Sequence, residues 1–212
     1  MRWIALVLVA FVGAAAGPAR AANDPTVYRA EASADVSLPF WCDWSYDWEE
    51  RCWRDFSDRL SVGGDTDKVW RAALHFPLSA IPRGSVVLSA TLLASFDGVC
   101  HAARMTPRPC PARSYTIEVH PILGPDWFHE REVDIGPFAA RGSFWSQTPQ
   151  RLSWDVTDLV IEWVEYGAPN DGLLLKLADN EEEFFVSGPK LPSSEFANAA
   201  LRPVLEVTYI TG

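Results

Sequence analysis

Hydrophobic and polar residues alternate along several short segments of this chain, a period that is typical of half-buried β-strands. The segments 90–96 and 205–209 each place their large apolar residues on one face. The segment 116–120 has one apolar face and one polar face, and the polar face includes Glu118 and His120. Many short strands separated by Gly and Pro predict an all-β fold, an antiparallel β-sandwich.

One cassette, residues 153–176, combines a strand, a short amphipathic helix, a turn and a fully apolar strand. Asp155 or Thr157 is expected to cap the helix, and Gly167 is expected to end it. The apolar residues that recur at helical spacing, and so predict one buried side of the helix, are Val156, Leu159, Val160 and Trp163. The cassette therefore predicts a short helical crossover between two core strands.

Four segments do not alternate and are predicted to be loops: 39–57, 98–113, 124–150 and 188–200. Because the chain has no long helix, internal repeat or flexible linker, residues 22–212 are predicted to form a single domain. The tryptophans that belong to alternating or helical patterns are assigned to the core: Trp70, Trp154 and Trp163. Trp127 and Trp145 lie in the third loop and fit either a buried or an exposed position.

Residues 1–21 contain one early positive charge, an apolar run and a small-residue end, the pattern of a secretory signal peptide. Cleavage is predicted after Ala21 or Ala22. The apolar run is shorter than the roughly 20 residues that a membrane helix requires, and no second run is longer. The sequence therefore predicts a secreted, extracellular protein without membrane insertion.

The chain is acidic. Removal of Arg2 and Arg20 with the signal peptide lowers the basic side chains from 18 to 16 against 28 acidic ones, so the formal net charge changes from −10 to −12. This balance argues against nucleic acid as a partner and against adsorption to anionic membranes. It also disfavours broad attraction to an acidic glycan, which only a local basic patch could then provide.

Six segments carry a resemblance to a known family and occur in that family's order. They are AEASADVSL (30–38), RAALHFPLSAIPRGSVVLSATLLASF (71–96), IEVHPI (117–122), the cassette (153–176), FFVSG (184–188) and LRPVLEVTY (201–209). Together they cover nearly all of the chain after the signal peptide, and the ordered set resembles the DNRLRE domains, which are grouped with carbohydrate-binding module family 96. The resemblance implies a secreted β-sandwich of jelly-roll type that is non-catalytic and attaches to polysaccharide.

Four cysteines form two pairs with equal spacing. Oxidation is expected after export, and four cysteines allow three pairings. We predict the two local disulfides, Cys42–Cys52 and Cys100–Cys110. The alternative is a zinc site, but zinc ligands usually occur as closer CxxC-type pairs.

The insert around the first cysteine pair, FWCDWSYDWEERCWRDF, is the predicted sugar-binding site. Flat aromatic faces can cover the apolar face of a pyranose, and carboxylates can accept hydrogen bonds from its hydroxyl groups. A disulfide would hold these side chains in place and reduce the entropy lost on binding. The alternative is a small core in which the tryptophans cover one end of the sandwich. The predicted ligand-binding residues of the insert are Trp41, Trp44, Tyr46, Trp48, Trp53, Asp43 and Asp47.

The second cysteine-bracketed loop, CHAARMTPRPCPAR, is basic within an acidic protein. Arg104 and Arg108 are predicted to clamp uronate or sulfate groups, because a guanidinium group forms bidentate contacts with such anions. The alternative is a solvated loop, or one that neutralises the acidic insert across a gap.

No cofactor is predicted, and structural calcium is the alternative because carboxylate oxygens are the ligands that Ca²⁺ prefers. One candidate segment contains Asp65 and Asp67. The other contains Asp179, Glu181, Glu182 and Glu183. Neither segment has the ordered spacing of an EF-hand loop.

No catalytic motif is complete in this sequence. His129 and Glu130 begin an HExxH motif, but Val133 occupies the position of the second histidine. No GxSxG motif or phosphate-binding glycine loop occurs, and no particular pair of carboxylates is selected for glycoside cleavage. We therefore predict a polysaccharide-binding protein that is not an enzyme. The alternative is a structural or adhesive protein that contacts cell-surface or other extracellular proteins.

Overall fold

A computed structural model of the protein describes residues 24–42, 54–64, 68–100, 108–125, 133–182 and 187–212. The one α-helix of these ranges is α1 (Thr157–Val164), and a short 3-10 helix spans Ala199–Leu201. In chain order the strands are β1 (Thr26–Glu31), β2 (Ala34–Cys42), β3 (Arg59–Ser61), β4 (Gly63–Gly64), β5 (Lys68–His75), β6 (Val86–Phe96), β7 (Val99–Cys100), β8 (Arg108–Pro109), β9 (Ser114–Pro121), β10 (Ala140–Trp145), β11 (Gln150–Asp155), β12 (Leu173–Leu177), β13 (Lys190–Pro192) and β14 (Val204–Ile210).

Two antiparallel sheets make up the fold. The smaller sheet has the order β1-β14-β6-β11, and the larger has the order β10-β9-β12-β5-β2, with β4 paired to β5. Strands β3 and β13 form one small two-stranded sheet, and β7 and β8 form another. The predicted all-β sandwich is therefore confirmed, whereas the jelly-roll type stays a prediction.

The core lies between the two sheets and is built from their inward-facing residues. Leu92 and Phe96 of the smaller sheet share one hydrophobic cluster with Ile117 and Leu175 of the larger sheet, and all four side chains are at most 1 % exposed. Alternation placed Leu92, Phe96 and Ile117 on apolar faces, and Leu175 belongs to the fully apolar strand that the cassette predicted. Burial of each such side chain contributes about 1.5–3 kcal/mol relative to exposure.

The predicted core tryptophans are buried to different extents. Trp70 is 4 % exposed and Trp154 is 3 % exposed, so both assignments are confirmed. Trp163 lies on α1 and packs against the core as a partly buried residue. Trp145, whose position was left open, is 50 % exposed.

The crossover helix α1 connects β11 of the smaller sheet to β12 of the larger one, as the cassette predicted. The prediction of its cap was wrong: the N-cap is Val156, and no side chain caps it. Thr157 is instead the first helical residue, and its hydroxyl accepts a hydrogen bond from the Ala90 N–H at 2.9 Å. The hydroxyl therefore ties the helix to β6, and the Asp155 carboxylate accepts the N–H of Thr157 at 3.0 Å.

Strands also occur within all four segments that were predicted to be loops. Strand β2 continues to Cys42, and the second segment contains β7 and β8. Strand β13 lies in the fourth segment, 188–200. The largest difference from the prediction is the six-residue β10, which lies in the third segment, 124–150. Strand β10 has Ala140 and Gly142 at two of its inward positions, so little apolar alternation marks it.

None of the helices in the described ranges is both long enough and apolar enough to cross a membrane.

We expect Gly172→Ala to lower the free energy of unfolding by about 3 kcal/mol. Gly172 precedes β12 with a φ of +110°, where a side chain costs about 1–2 kcal/mol. An added Cβ would also lie 2.7 Å from the carbonyl oxygen of Leu74, so backbone must shift. Urea denaturation measures the loss.

Gly167→Ala is the matched control for this substitution. Gly167 has a φ of +74° but no heavy atom within 4 Å of an added Cβ. Its replacement should therefore lower the free energy of unfolding by only about 1–2 kcal/mol. Equal losses in the two variants would contradict the steric overlap at Gly172.

Candidate functional site

Both cysteine-bracketed loops depart from the same end of the sandwich. The larger sheet ends there with Cys42, Ser114 and Trp145, and the smaller sheet ends there with Phe96, which pairs with Gln150. We call this the loop end. The opposite end carries α1 and the start of β6, where the Glu165 carboxylate accepts the N–H of Val87 at 2.7 Å.

A strip of backbone contacts joins the bases of the two loops. Cys100, at the start of the basic loop, forms a β-bridge with Pro189. The neighbouring Gly188 donates its N–H to the carbonyl of Gly64 at 2.9 Å. Gly64 pairs with Val69, and Val69 pairs on its other side with Trp41, the residue where the aromatic insert begins. The two loop bases are therefore held together by main-chain hydrogen bonds.

The insert starts at the tip of β2 and returns along the outer edge of that strand. Asp55 and Ser37 exchange backbone hydrogen bonds of 3.0 and 2.9 Å. The Asp55 carboxylate then accepts the Ser57 N–H at 3.0 Å, which shapes the turn that follows. The insert is thus anchored to the edge of the larger sheet on both sides.

Most of the predicted ligand-binding side chains lie outside the described residues. Trp41 is placed by its backbone in β2, and Arg108 is placed by its backbone in β8, opposite Cys100. The others fall in the ranges 43–53 and 101–107: Asp43, Trp44, Tyr46, Asp47, Trp48, Trp53 and Arg104. What the structure brings together is the base of the insert and the base of the basic loop.

One of the two predicted disulfides is confirmed. Cys100 and Cys110 are bonded, with their Cα atoms 4.9 Å apart, and they close the β7–β8 hairpin. The Cys42–Cys52 bond falls on Cys52, which is outside the described residues, and it stays a prediction. The carbonyl of Cys110 also accepts a hydrogen bond from the Gln147 amide at 2.8 Å, which ties the basic loop to the β10–β11 turn.

A buried tyrosine supports the basic loop from below. The ring of Tyr115 is fully buried, and its hydroxyl donates to the carbonyl of Ser187. The guanidinium of Arg113 lies 5.0 Å from the centre of this ring. Burial raises the pKa of Tyr115 to about 12, although the nearby Arg113 charge acts in the opposite direction. The phenol therefore stays protonated and keeps donating its hydrogen bond throughout the neutral range.

The outer face of the larger sheet is covered rather than solvated. Ile122 packs against Val36 and Leu174 on this face, and the connection after β9 adds Val133 and Ile135. The Nδ1 atom of His120 lies 2.8 Å from the carbonyl of Gly136 and holds this connection down. The sequence placed Glu118 and His120 on a polar face, and that face is buried, with the two residues 9 % and 8 % exposed.

Charged side chains cross this covered face in one row of neighbouring strands. Glu118 of β9 is opposite Lys176 of β12, and the Lys176 ammonium lies 3.5 Å from the Glu118 carboxylate. His120 Nε2 is 3.5 Å from the same carboxylate, and Arg141 of β10 is 4.0 Å from it. The Lys176 side chain is only 4 % exposed, so its contacts with these carboxylates offset the cost of removing it from water.

The acidic turn after β12 completes the row. Glu182 binds Arg71 through two hydrogen bonds of 3.1 and 2.8 Å and lies 4.0 Å from Lys176. Asp179 accepts a hydrogen bond from Lys176 at 2.5 Å, and that hydrogen bond lowers the pKa of Asp179. We call the set Arg71, Glu118, His120, Arg141, Lys176, Asp179 and Glu182 the charge cluster. Its cations and carboxylates are equal in number when His120 is neutral.

The acidic residues that were the alternative calcium ligands fall into two groups. Asp65, Asp67 and Glu183 lie outside the described residues. Asp179 and Glu182 belong to the charge cluster, and Glu181 accepts the N–H of Thr116 at 2.8 Å. These three carboxylates are directed to different protein groups, and no group of three or more metal-ligating side chains is assembled in the described ranges.

Sequence patterns gave little indication of the charge cluster. Glu118 and His120 occur at alternating positions that usually face solvent, and Lys176 follows three leucines. The signal that could have revealed the cluster is the charged Lys176 within an otherwise apolar strand. Such a residue in a buried strand requires a partner of opposite charge on the adjacent strand.

A further carboxylate, Asp35, lies where β2 meets the segment that precedes the last strand. It accepts the N–H of Ser194 at 2.5 Å. Burial raises the pKa of Asp35, and the hydrogen bonds from Ser194 oppose this effect. The folded protein therefore binds the Asp35 proton more tightly than the unfolded chain does.

We expect Lys176→Met to lower the free energy of unfolding by about 3 kcal/mol or more, because it leaves the buried Glu118 and Glu182 short of a cation. Thermal and urea denaturation measure this loss. Asp179→Asn is the control on the same lysine. The Asp179 side chain is 93 % exposed, so its loss should cost less than about 1 kcal/mol. If the two variants were equally stable, the ion pairs beneath the covered face would contribute nothing.

We expect Asp35→Asn to be more stable than the wild type at neutral pH. Because its folded pKa is raised, the wild type loses stability as pH rises from the unfolded pKa of about 3.9 through the folded value. The asparagine removes this loss, and its side-chain oxygen still accepts the Ser194 N–H. Melting temperatures between about pH 3 and pH 7 measure the difference, which should vanish at the acidic limit.

Asp155→Asn is the control, and its effect on stability at neutral pH should be opposite to that of Asp35→Asn. The hydrogen bond from the Thr157 hydroxyl lowers the pKa of Asp155, so its stabilising effect is present above the unfolded pKa and disappears as pH falls through the folded value. This variant should be less stable than the wild type at neutral pH. If both variants differed from the wild type in stability at neutral pH in the same direction, the opposite pKa shifts of Asp35 and Asp155 would be refuted.

No family model matches this sequence, and none of the curated proteins matches it. The resemblance to DNRLRE domains therefore rests on the six ordered segments alone.

Proposed function

We propose that this protein is a secreted, non-catalytic protein that attaches to polysaccharide through the loop end of its sandwich. In this proposal residues 1–21 are a signal peptide and residues 22–212 are one domain of the DNRLRE and carbohydrate-binding module family 96 type, with jelly-roll topology. The aromatic insert stacks on sugar rings, and the basic loop lies beside it.

The observation that carries this proposal is the convergence of the two loop bases. The insert leaves from Trp41 and the basic loop leaves from Cys100, and the strip through Gly188 and Gly64 joins them. Two segments that are far apart along the chain, one rich in aromatic residues and one rich in basic residues, therefore depart from one end of the sandwich. A glycan that contacted one loop would be within reach of the other.

Trp145 adds an exposed aromatic side chain at the same end. It is the last residue of β10 and pairs with Ser114, immediately after the basic loop. Half of its surface is exposed, so one part of the indole is open to contact with a ligand. We include Trp145 in the proposed sugar-binding surface.

The covered face of the larger sheet supports the same choice of surface. Its cations are matched by carboxylates within the charge cluster, so they are committed to protein partners. The outer face of that sheet is also occupied by the connection after β9. The loop end is the surface from which the aromatic insert and the basic loop of the sequence both depart.

We expect Trp48→Ala to abolish, and Trp145→Ala to weaken by about tenfold, the binding of the polysaccharide that retards the wild type in affinity electrophoresis. One aromatic–sugar contact of about 1.4 kcal/mol corresponds to that tenfold change. The gels would contain neutral polysaccharides (xylan, mannan, β-glucan) or acidic ones (alginate, pectate).

Tyr166→Ala is the matched control, because Tyr166 is 73 % exposed but follows α1 at the opposite end of the sandwich. Its mobility should equal that of the wild type, and all variants should retain the wild-type melting temperature. If no polysaccharide retards the wild type, the proposal fails and the structural or adhesive alternative gains support.

A further inference from the structure

The turn between β10 and β11 is bound to the base of the basic loop. The Gln147 amide donates a hydrogen bond of 2.8 Å to the carbonyl of Cys110. The Ser146 hydroxyl donates to the carbonyl of Pro111 at 2.5 Å and accepts the N–H of Arg113 at 3.1 Å. The N–H of Ser146 donates to the Arg113 carbonyl at 3.0 Å. Four hydrogen bonds therefore join two adjacent residues of the turn to the C-terminal base of the basic loop.

The same turn fixes the backbone of Trp145, the exposed aromatic residue of the proposed sugar-binding surface. Trp145 pairs with Ser114 on the strand side and directly precedes Ser146 on the turn side. The Gln150 amide donates to the carbonyls of Trp145 and Thr148 at 3.1 and 3.0 Å, which closes the turn. Ser146 is only 1 % exposed, so the loss of its hydrogen bonds would leave buried polar groups without partners.

Cys110 is the point at which the turn, the basic loop and the path to the aromatic insert meet. Its carbonyl accepts the Gln147 hydrogen bond, and its sulfur is bonded to Cys100. Cys100 forms the β-bridge with Pro189, and the Pro189 carbonyl accepts the N–H of Val62 at 3.1 Å. From Pro189 the strip of backbone contacts continues to the base of the insert. The path from the turn to the insert therefore passes through one hydrogen bond and one covalent bond of Cys110.

The two links at Cys110 differ in their surroundings. The disulfide is enclosed, because Cys100 is fully buried and Cys110 is 6 % exposed. Gln147 is an exposed residue, and its amide could hydrogen-bond to water equally well. Its hydrogen bond to Cys110 therefore contributes less to stability than to the geometry of the turn relative to the loop base.

A fixed geometry is useful at a surface that binds an extended ligand. A glycan that contacts Trp145 and the insert at once requires a constant spacing between them. If the two parts moved independently, binding would have to restrict that motion, and the entropy lost would reduce the affinity.

We propose that Gln147 and the Cys100–Cys110 disulfide are positioning elements of the polysaccharide-binding surface, which together fix the spacing between Trp145 and the base of the aromatic insert. Ser146 anchors the same turn to the basic loop. Loss of either link lets the turn and the insert base move independently. This inference rests on the proposed function and adds that full affinity for polysaccharide requires the intact Cys100–Cys110 bond.

Amide hydrogen exchange tests the coupling without any ligand. Gln147→Glu keeps the size of the side chain, but a carboxylate cannot donate to the Cys110 carbonyl. We expect exchange of the Gly188 and Val62 amide hydrogens, which lie on the path beyond the disulfide, to become about fivefold faster, the factor that corresponds to a net hydrogen bond of about 1 kcal/mol. A purely local role of Gln147 would leave both rates unchanged, because neither residue contacts Gln147.

Gln150→Glu is the matched control for the exchange experiment. It makes the same chemical change in the same turn and breaks the hydrogen bonds to Trp145 and Thr148. It leaves the link between Gln147 and Cys110 in place. Exchange of Gly188 and Val62 should therefore equal that of the wild type.

Affinity electrophoresis tests the consequence for binding, in gels that contain xylan, mannan, β-glucan, alginate or pectate. With the polysaccharide that retards the wild type, Gln147→Glu should weaken the affinity about fivefold, and Gln147→Ala, which adds no charge, should do the same. The double variant Cys100→Ala, Cys110→Ala should weaken it at least as much. Adding Gln147→Ala to that double variant should cause no further loss, because the path is already broken. Circular dichroism and melting temperatures identify the variants that are folded at the assay temperature.

The outcomes separate this inference from the proposed function. If Gln147→Glu leaves exchange of Gly188 and Val62 unchanged, the coupling is refuted, whereas retardation of the wild type would still support the proposed function. If the losses from Gln147→Ala and from the cysteine variant add in full, the two links act independently, and the coupling is refuted in the same way. If no polysaccharide retards the wild type, the proposed function fails, and the role of these residues in sugar binding fails with it.

Discussion

Burial of the larger sheet on both of its faces is the constraint on which the rest of this structure depends. The inner face packs against the smaller sheet, and the outer face lies beneath the connection after β9 and the acidic turn after β12. All five residues of β12 are buried as a result. A strand in the middle of such a sheet cannot rely on solvent for its polar groups, so each charge on the outer face requires a partner.

This constraint explains the form of the charge cluster. Glu118 and Lys176 are opposite each other on adjacent strands, and Glu182 reaches back from the turn to hold Arg71. The cluster offsets the desolvation of its members and connects the acidic turn to the sheet. Since the cations of the outer face are committed in this way, the covered face of the larger sheet is not a free surface for a ligand.

Prediction of core residues from the sequence succeeded for strands in which the alternating apolar face is the face buried between the sheets. Leu92, Phe96 and Ile117 were placed on apolar faces and lie in the core, because a period of two residues separates the faces of any half-buried strand. The Cys100–Cys110 bond was predicted from spacing and export. Strand β10 was not predicted, because Gly142 at an inward edge position carries no hydrophobic signal. The cap of α1 was predicted wrongly, because the Thr157 hydroxyl is used by the neighbouring strand.

The sequence by itself determined the fold class, the crossover helix and the identity of the core residues, since these depend on local periodicity and on the turn residues between strands. Only the tertiary structure decided what covers the polar face of Glu118 and His120. It alone brought the bases of the two loops together and set Gly142 against the indole of Trp154. These features depend on contacts between residues that are far apart in the chain, and a local pattern carries no information about which distant segment will lie above a given face.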